Sequence, residues 1–103
     1  MAICFSSPVT GYLTQAQISV NHGYGFVYKH VMSDPSVTRF MDGNLIHTSQ
    51  IKWVRREHGF WVLRTFNGFY VIVSFHKYGG FDSLVDHLST RAWIRRIAPI
   101  TRQ

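Results

Sequence analysis

Six histidines, at positions 22, 30, 47, 58, 76 and 87, and five carboxylates are the groups with which this chain of 103 residues would do acid/base or metal chemistry. The histidines form no His-x-His pair, Cys4 stands alone, and neither GxxxxGK[ST] nor GxGxxG occurs. A zinc site or a cysteine nucleophile would have to be assembled from distant segments without a local signature. Asp34 and Asp42 fall in turn sequences, Glu57 borders another, and Asp82 and Asp86 sit one turn apart in a helical pattern. A solvated helix start accounts for that last pair better than an acid/base dyad does. The reading is a protein that is not an enzyme, with no catalytic residue, cofactor or metal.

The cations and rings point elsewhere. Eleven Lys and Arg against five acids leave a formal charge of +6, and 16% of the residues are aromatic. Such an excess favours nucleic acid, or a protein complex that handles it, as partner. Arg91, Arg95 and Arg96 lie in RAWIRRIAPITRQ, a segment without an acid, and Arg91 and Arg95 share a helix face. Lys52, Arg55, Arg56 and Arg64 lie in hairpin sequences. These are the candidate partner- or nucleic-acid-binding residues. Tyr24, Phe26, Phe60, Phe66 and Phe69 are the candidate stacking rings, because a single-strand platform needs π faces beside Lys or Arg.

The elements that must carry them follow from periodicity. Branched and aromatic runs predict strands at AICF, AQISV, 24–32, 37–41 and 44–57, with turns at Asp34-Pro35-Ser36 and Asp42-Gly43. After Lys77 the period changes: Phe81, Leu84, Val85, Leu88 and Ala92 recur at helical spacing, and Pro99 is expected to end the helix. The predicted fold is one α+β domain over residues 1–103, an antiparallel meander of about four to six strands with a C-terminal helix on one face. With no apolar run near ~20 residues and no cationic n-region, neither a membrane partner nor a signal peptide is expected. One cysteine suits a reducing compartment, so the expected location is the cytoplasm.

The stretch WVLRTFNGFYVIVSF, residues 61–75, reads as a hairpin with no clearly polar face. A two-residue Asn67-Gly68 loop places Phe66 opposite Phe69, and gathers Phe60, Val62, Arg64, Phe66, Phe69 and Phe75 on one face. Leu63, Tyr70 and Ile72 then share the other. A three-residue turn at Glu57-His58-Gly59 adds Ile51 and Trp53 to the Leu63 face, and Lys52, Val54 and Arg56 to the phenylalanines. A two-residue His58-Gly59 turn would scatter those charges instead. Three destinations stay open for the basic, aromatic face: a second core layer under residues 1–40, a homodimer interface, or a surface for a partner.

Two resemblances bear on function. HGYGFVYK, residues 22–29, resembles the RNP1 pattern of RNA-recognition motifs and cold-shock domains, with His22 where Lys or Arg is usual. NLIHTSQI, 44–51, is similar to the second cold-shock element. The resemblance implies that Tyr24, Phe26 and His47 face nucleic acid. Residues 43–75 resemble an element of small phage and prophage proteins, G-x-[IV]-x-T-S-x-[IV] followed by T-x-N-[GST]-x-Y, matched at Thr48, Ser49, Ile51, Thr65, Asn67, Gly68 and Tyr70. That resemblance implies a mobile-element accessory protein in the host cell cytoplasm. Its setting includes anti-CRISPR-like inhibitors, which act by stoichiometric protein-protein interaction.

Overall fold

The computed structural model describes residues 4–34, 36 and 38–101, with 91–101 as helix backbone only. Five strands, β1 (Gly11–Ser19), β2 (His22–Tyr28), β3 (Leu45–Glu57), β4 (Phe60–Thr65) and β5 (Phe69–Ile72), precede α1 (Gly80–Thr101). Each strand pairs antiparallel with the next. Directions therefore alternate, and the fifth strand must run the same way as the first. Gly11–Leu13 indeed pairs in parallel with Tyr70–Ile72, which closes the sheet into a barrel. The α+β meander with a C-terminal helix is the expected architecture; closure is the part that strand counting did not supply.

Inward positions fill the barrel with Leu13, Ile18, Val27, Ile46, Ile51, Leu63, Tyr70 and Ile72, joined by Leu84 from α1. The helix packs on β1, and Leu84 is fully buried with Leu88 half-buried behind it. Phe81 and Val85 stay 49% and 42% exposed, so the buried stripe is narrower than the spacing implied. Asp82 lies in the first turn, where it opposes the helix dipole. The helix runs on through Pro99 to Thr101, correcting the expected stop. Proline lacks an amide hydrogen, so one helical hydrogen bond is missing there while the backbone keeps its helical path. Ala92 and the arginines of α1 lie outside the residues whose side chains are described.

A second apolar layer sits outside the barrel. Val62, Phe69 and Val71 project outward from β4 and β5 and are covered by Phe5, Val9, Tyr12, Trp53 and Phe60. The cover is an N-terminal strap over residues 4–10; of the strand expected at AICF, Cys4 and Phe5 are not in a strand, and Ala2 and Ile3 lie outside the described residues. Thr10 N donates to Phe69 O at 2.7 Å, and Phe69 N donates back to Thr10 Oγ1 at 3.0 Å. Ser6 donates to the Glu57 carboxylate through its N (2.8 Å) and Oγ (2.5 Å). Burying a phenylalanine such as Phe69 stabilises by about 1.5–3 kcal/mol, which adds to these hydrogen bonds in offsetting the entropy of ordering the segment.

The registers hold one expectation and correct others. Arg64 pairs with Phe69, so the β4–β5 loop is Thr65–Gly68 rather than Asn67-Gly68 alone. Thr65 Oγ1 accepts from Gly68 N at 3.1 Å and closes that longer loop. The slip spans two residues, so face parity survives: Leu63, Tyr70 and Ile72 point in, while Phe60, Val62, Arg64 and Phe69 point out. Phe75 does not join them; it packs against the barrel core and pairs with Ala16. At the other turn Glu57 pairs with Phe60, leaving the two residues His58-Gly59 at φ 53° and 83°. This type I′ geometry, whose twist suits a hairpin, overturns the three-residue turn. Pairing also skips Lys52, between Ile51↔Thr65 and Trp53↔Arg64. The two-residue turn sends Trp53 outward and Val54 inward, and the bulge at Lys52 returns Ile51 to the inside, so the basic residues are not gathered on one face. In place of the strand expected at 37–41 the described residues 38–40 form a 3-10 turn, Thr38–Phe40, and Val37 lies outside the described residues.

Candidate functional site

Gly23 and Gly25 point into the barrel, where neither has room for a side chain. A Cβ on Gly23 would lie 2.7 Å from Leu63 Cδ1, and one on Gly25 would lie 3.0 Å from the Thr14 carbonyl oxygen. Strand alternation then forces Tyr24 and Phe26 outward. The GYGF run is thus a device for placing two rings on the barrel exterior, with glycine as its inward half.

β3 completes the platform. His47 pairs with Tyr24 and Leu45 with Phe26. The Tyr24 and His47 rings sit 5.8 Å apart at 35°, and His22 meets His47 edge-on at 6.1 Å. His22 Nδ1 lies 2.8 Å from the Thr48 carbonyl oxygen, so it carries the proton and donates, which fixes the ring. Further along, Phe66 N donates to Gln50 O at 3.1 Å and Asn67 N to Ser49 Oγ at 2.9 Å. These bonds draw the β4–β5 loop alongside β3, where Phe66 is 67% exposed with the Lys52 ammonium 5.5 Å above its ring. Neither core cluster includes Tyr24, Phe26 or His47. No Asp or Glu occurs in β2, or in β3 before Glu57. The platform is ring-lined and carries no acid on β2 or on β3 before Glu57; its Tyr24 and Phe26 are half-buried and its His47 is exposed. Outward positions on one strand lie about 6.8 Å apart, twice the ~3.4 Å rise of stacked bases, which suits a strand with splayed bases.

The other expected site residues divide. Phe69 is fully buried beneath Phe5 and Trp53 and offers no ring to a ligand. Phe60 is half-buried against Phe5. Arg55 stacks on Trp53 and donates to Glu57 Oε2 at 2.9 Å and to Ser6 Oγ at 2.8 Å, so it clamps the strap. Those bonds from Ser6, with Arg55 adding to them, pull the Glu57 pKa down to about 2. Arg56 lies over Trp61 and donates to Gly59 O at 3.0 Å. Arg64 is half-buried on the outer face between Trp53 and Phe69. Of the expected cations, Lys52 stands beside the platform. Arg91, Arg95 and Arg96 lie outside the described side chains.

The residues of the 43–75 element turn out to be structural. Thr48 Oγ1 accepts from Gly23 N at 3.0 Å and donates to Ser49 O at 2.8 Å, where β3 bends against β2. Ile51 and Thr65 are buried, and Tyr70 meets His30 Nε2 through its hydroxyl at 3.1 Å. His30 is stacked on Phe40 at 4.0 Å, and its Nδ1 accepts from Met32 N. Burial, with Arg39 nearby, lowers its pKa.

Two concavities lie on the surface of the described residues. A cleft of about 500 Å³ between the β1–β2 turn and α1 is lined by Asn21, Ser83, Asp86, His87 and Thr90 among others, but not by Asp82. Ser83 Oγ there donates to Gly80 O and accepts from Ile18 N, so its hydroxyl is committed. The second concavity, beside Phe26, brings together Tyr12, Tyr28 and Lys29, none of which the sequence singled out. Among the described residues no group of three His, Cys, Asp or Glu is placed to hold a metal ion. No described helix is long and apolar enough to cross a membrane.

Fold and site together define a small five-stranded barrel with one self-covered and one open aromatic exterior. No family model, curated protein or solved structure matches the chain.

Proposed function

We propose that the protein acts by binding, without turnover, and that single-stranded nucleic acid lies across the outer face of β2 and β3. The observation that carries this reading is the inward pair Gly23 and Gly25, which holds Tyr24 and Phe26 outward beside His47 on a face without acids. Rings supply base stacking, Lys52 supplies charge, and the +6 chain attracts the phosphates. The resemblance of residues 43–75 to mobile-element proteins supports a stoichiometric role: occupying nucleic acid, or a host defence complex of the CRISPR type that handles it, in the host cytoplasm.

Binding of a thymidine dodecanucleotide at rising salt tests the reading. Affinity is expected to fall log-linearly, with a slope of about −0.7 for each phosphate neutralised. Negligible affinity at low salt overturns direct nucleic-acid binding and moves the search to a protein partner. Leu45 and Phe66, 64% and 67% exposed, favour one second reading, a homodimer formed through the same face. Sedimentation velocity separates the two, since the first reading expects a monomer that binds the oligonucleotide.

A further inference from the structure

Thr14 of β1 pairs with Phe26, and beyond it the platform drops into an open recess of about 450 Å³. Its lining is Tyr12, Thr14, Tyr28, Lys29 and Val73. The volume falls within the range of small-ligand clefts, about 300–1,000 Å³. Tyr12 and Tyr28 are cross-strand partners, so their side chains stand on one outer face. Val73 follows β5 and is held to β1 by its N–H, which donates to Leu13 O at 2.8 Å; its side chain is 51% exposed. Lys29 leaves β2 at φ 53°, fixed there by its N–H donating to Asp42 Oδ1 at 2.8 Å. The recess therefore has two phenol rings, an aliphatic wall and a single cation, on backbone pinned at both sides.

We propose that this recess receives one unstacked base of the strand on the platform, with Lys29 pairing a flanking phosphate. Apolar rings in a concave setting suit a flat heteroaromatic ring, and a cation suits the phosphate attached to it. The proposal rests on the platform reading and extends it from a flat stacking face to one with a defined end. None of the recess residues contributes through the GYGF motif itself.

Amide chemical shifts recorded while the same dodecanucleotide is added distinguish the two claims. Shifts are expected at Tyr12, Thr14, Tyr28, Lys29 and Val73 together with Tyr24 and His47. Tyr28→Ala, at a position 40% exposed, should lower affinity about tenfold while leaving the Tyr24 and His47 shifts in place. Lys29→Gln should reduce the salt slope by about 0.7. Shifts confined to Tyr24 and His47, or unchanged affinity in both variants, overturn the recess and leave the platform standing. No shift anywhere overturns both.

Discussion

The barrel carries two aromatic exteriors, and the chain treats them differently. Over β4 and β5, Val62, Phe69 and Val71 are sealed by the strap through Phe5 and Val9, with Ser6 and Cys4 bonded to Glu57 and His58. Over β2 and β3, Tyr24, Phe26 and His47 stand outside both core clusters. The buried groups of the covered face, Val62, Phe69 and Val71, are aliphatic and phenyl, with Arg64 at the edge. The open face sets Tyr24 and His47, rings with a polar handle that tolerate water and can also stack, beside Phe26. Composition alone treats these faces alike; the difference lies in what their chemistry leaves unsatisfied.

Truncating one ring on each face should expose that contrast most strongly. Phe69→Ala is expected to cost about 3–5 kcal/mol in denaturant unfolding, the range for a buried phenylalanine. Tyr24→Ala should change stability by no more than about 1 kcal/mol, as a half-buried side chain outside both core clusters. Equal losses would erase the distinction between the faces.

Next in size is the glycine device. Gly25→Ala places a Cβ 3.0 Å from the Thr14 carbonyl oxygen and 3.3 Å from Leu13 Cβ, so the β1–β2 pair must shift. Overpacking of this kind costs about 1–3 kcal/mol, and it should also weaken oligonucleotide binding by moving Tyr24 and Phe26. A variant of unchanged stability would mean that the inward half of the motif is dispensable.

The smallest effect concerns the strap. Glu57 has its pKa lowered from 4.5 to about 2 by Ser6 and Arg55. A carboxylate held down in the folded state contributes stability above pH 4.5, and loses it as pH falls from 4.5 toward 2. Tryptophan fluorescence, with Trp53 under the strap's edge, should therefore report an acid transition in that window. Glu57→Gln should lack the transition. An identical acid profile in wild type and variant would detach Glu57 from the covered face, while the open face should be indifferent in either case.

How much of this was legible in the sequence depended on whether parity survived. The alternation of Leu63, Tyr70 and Ile72 against Phe60, Val62 and Phe69 could be read because the loop error was two residues, which preserves faces. The faces of Trp53, Val54 and Arg56 could not, because the turn at His58-Gly59 has two residues and not three, which reverses their parity, while the bulge at Lys52 restores Ile51 to its expected face. The β1–β2 hairpin was hidden as well. Its turn residues, Val20 and Asn21, both have positive φ (48° and 62°), and a β-branched residue there is no turn signal. With that hairpin unseen, the register pairing Tyr12 with Tyr28 was out of reach. The strap lay outside any periodic pattern, since residues 4–10 gain their place from contacts made across the whole chain length. The ring platform was legible through Gly23-Tyr24-Gly25-Phe26, whose alternation is local.

The open face is tested most directly by a Tyr24→Ala/Phe26→Ala double variant, with dodecanucleotide affinity read by fluorescence anisotropy at low salt. Stacking worth about 1–3 kcal/mol per ring implies a loss of tenfold or more, with the far-ultraviolet circular dichroism of the barrel unchanged. Unchanged affinity in a folded double variant would contradict the assignment of β2 and β3 as the binding face.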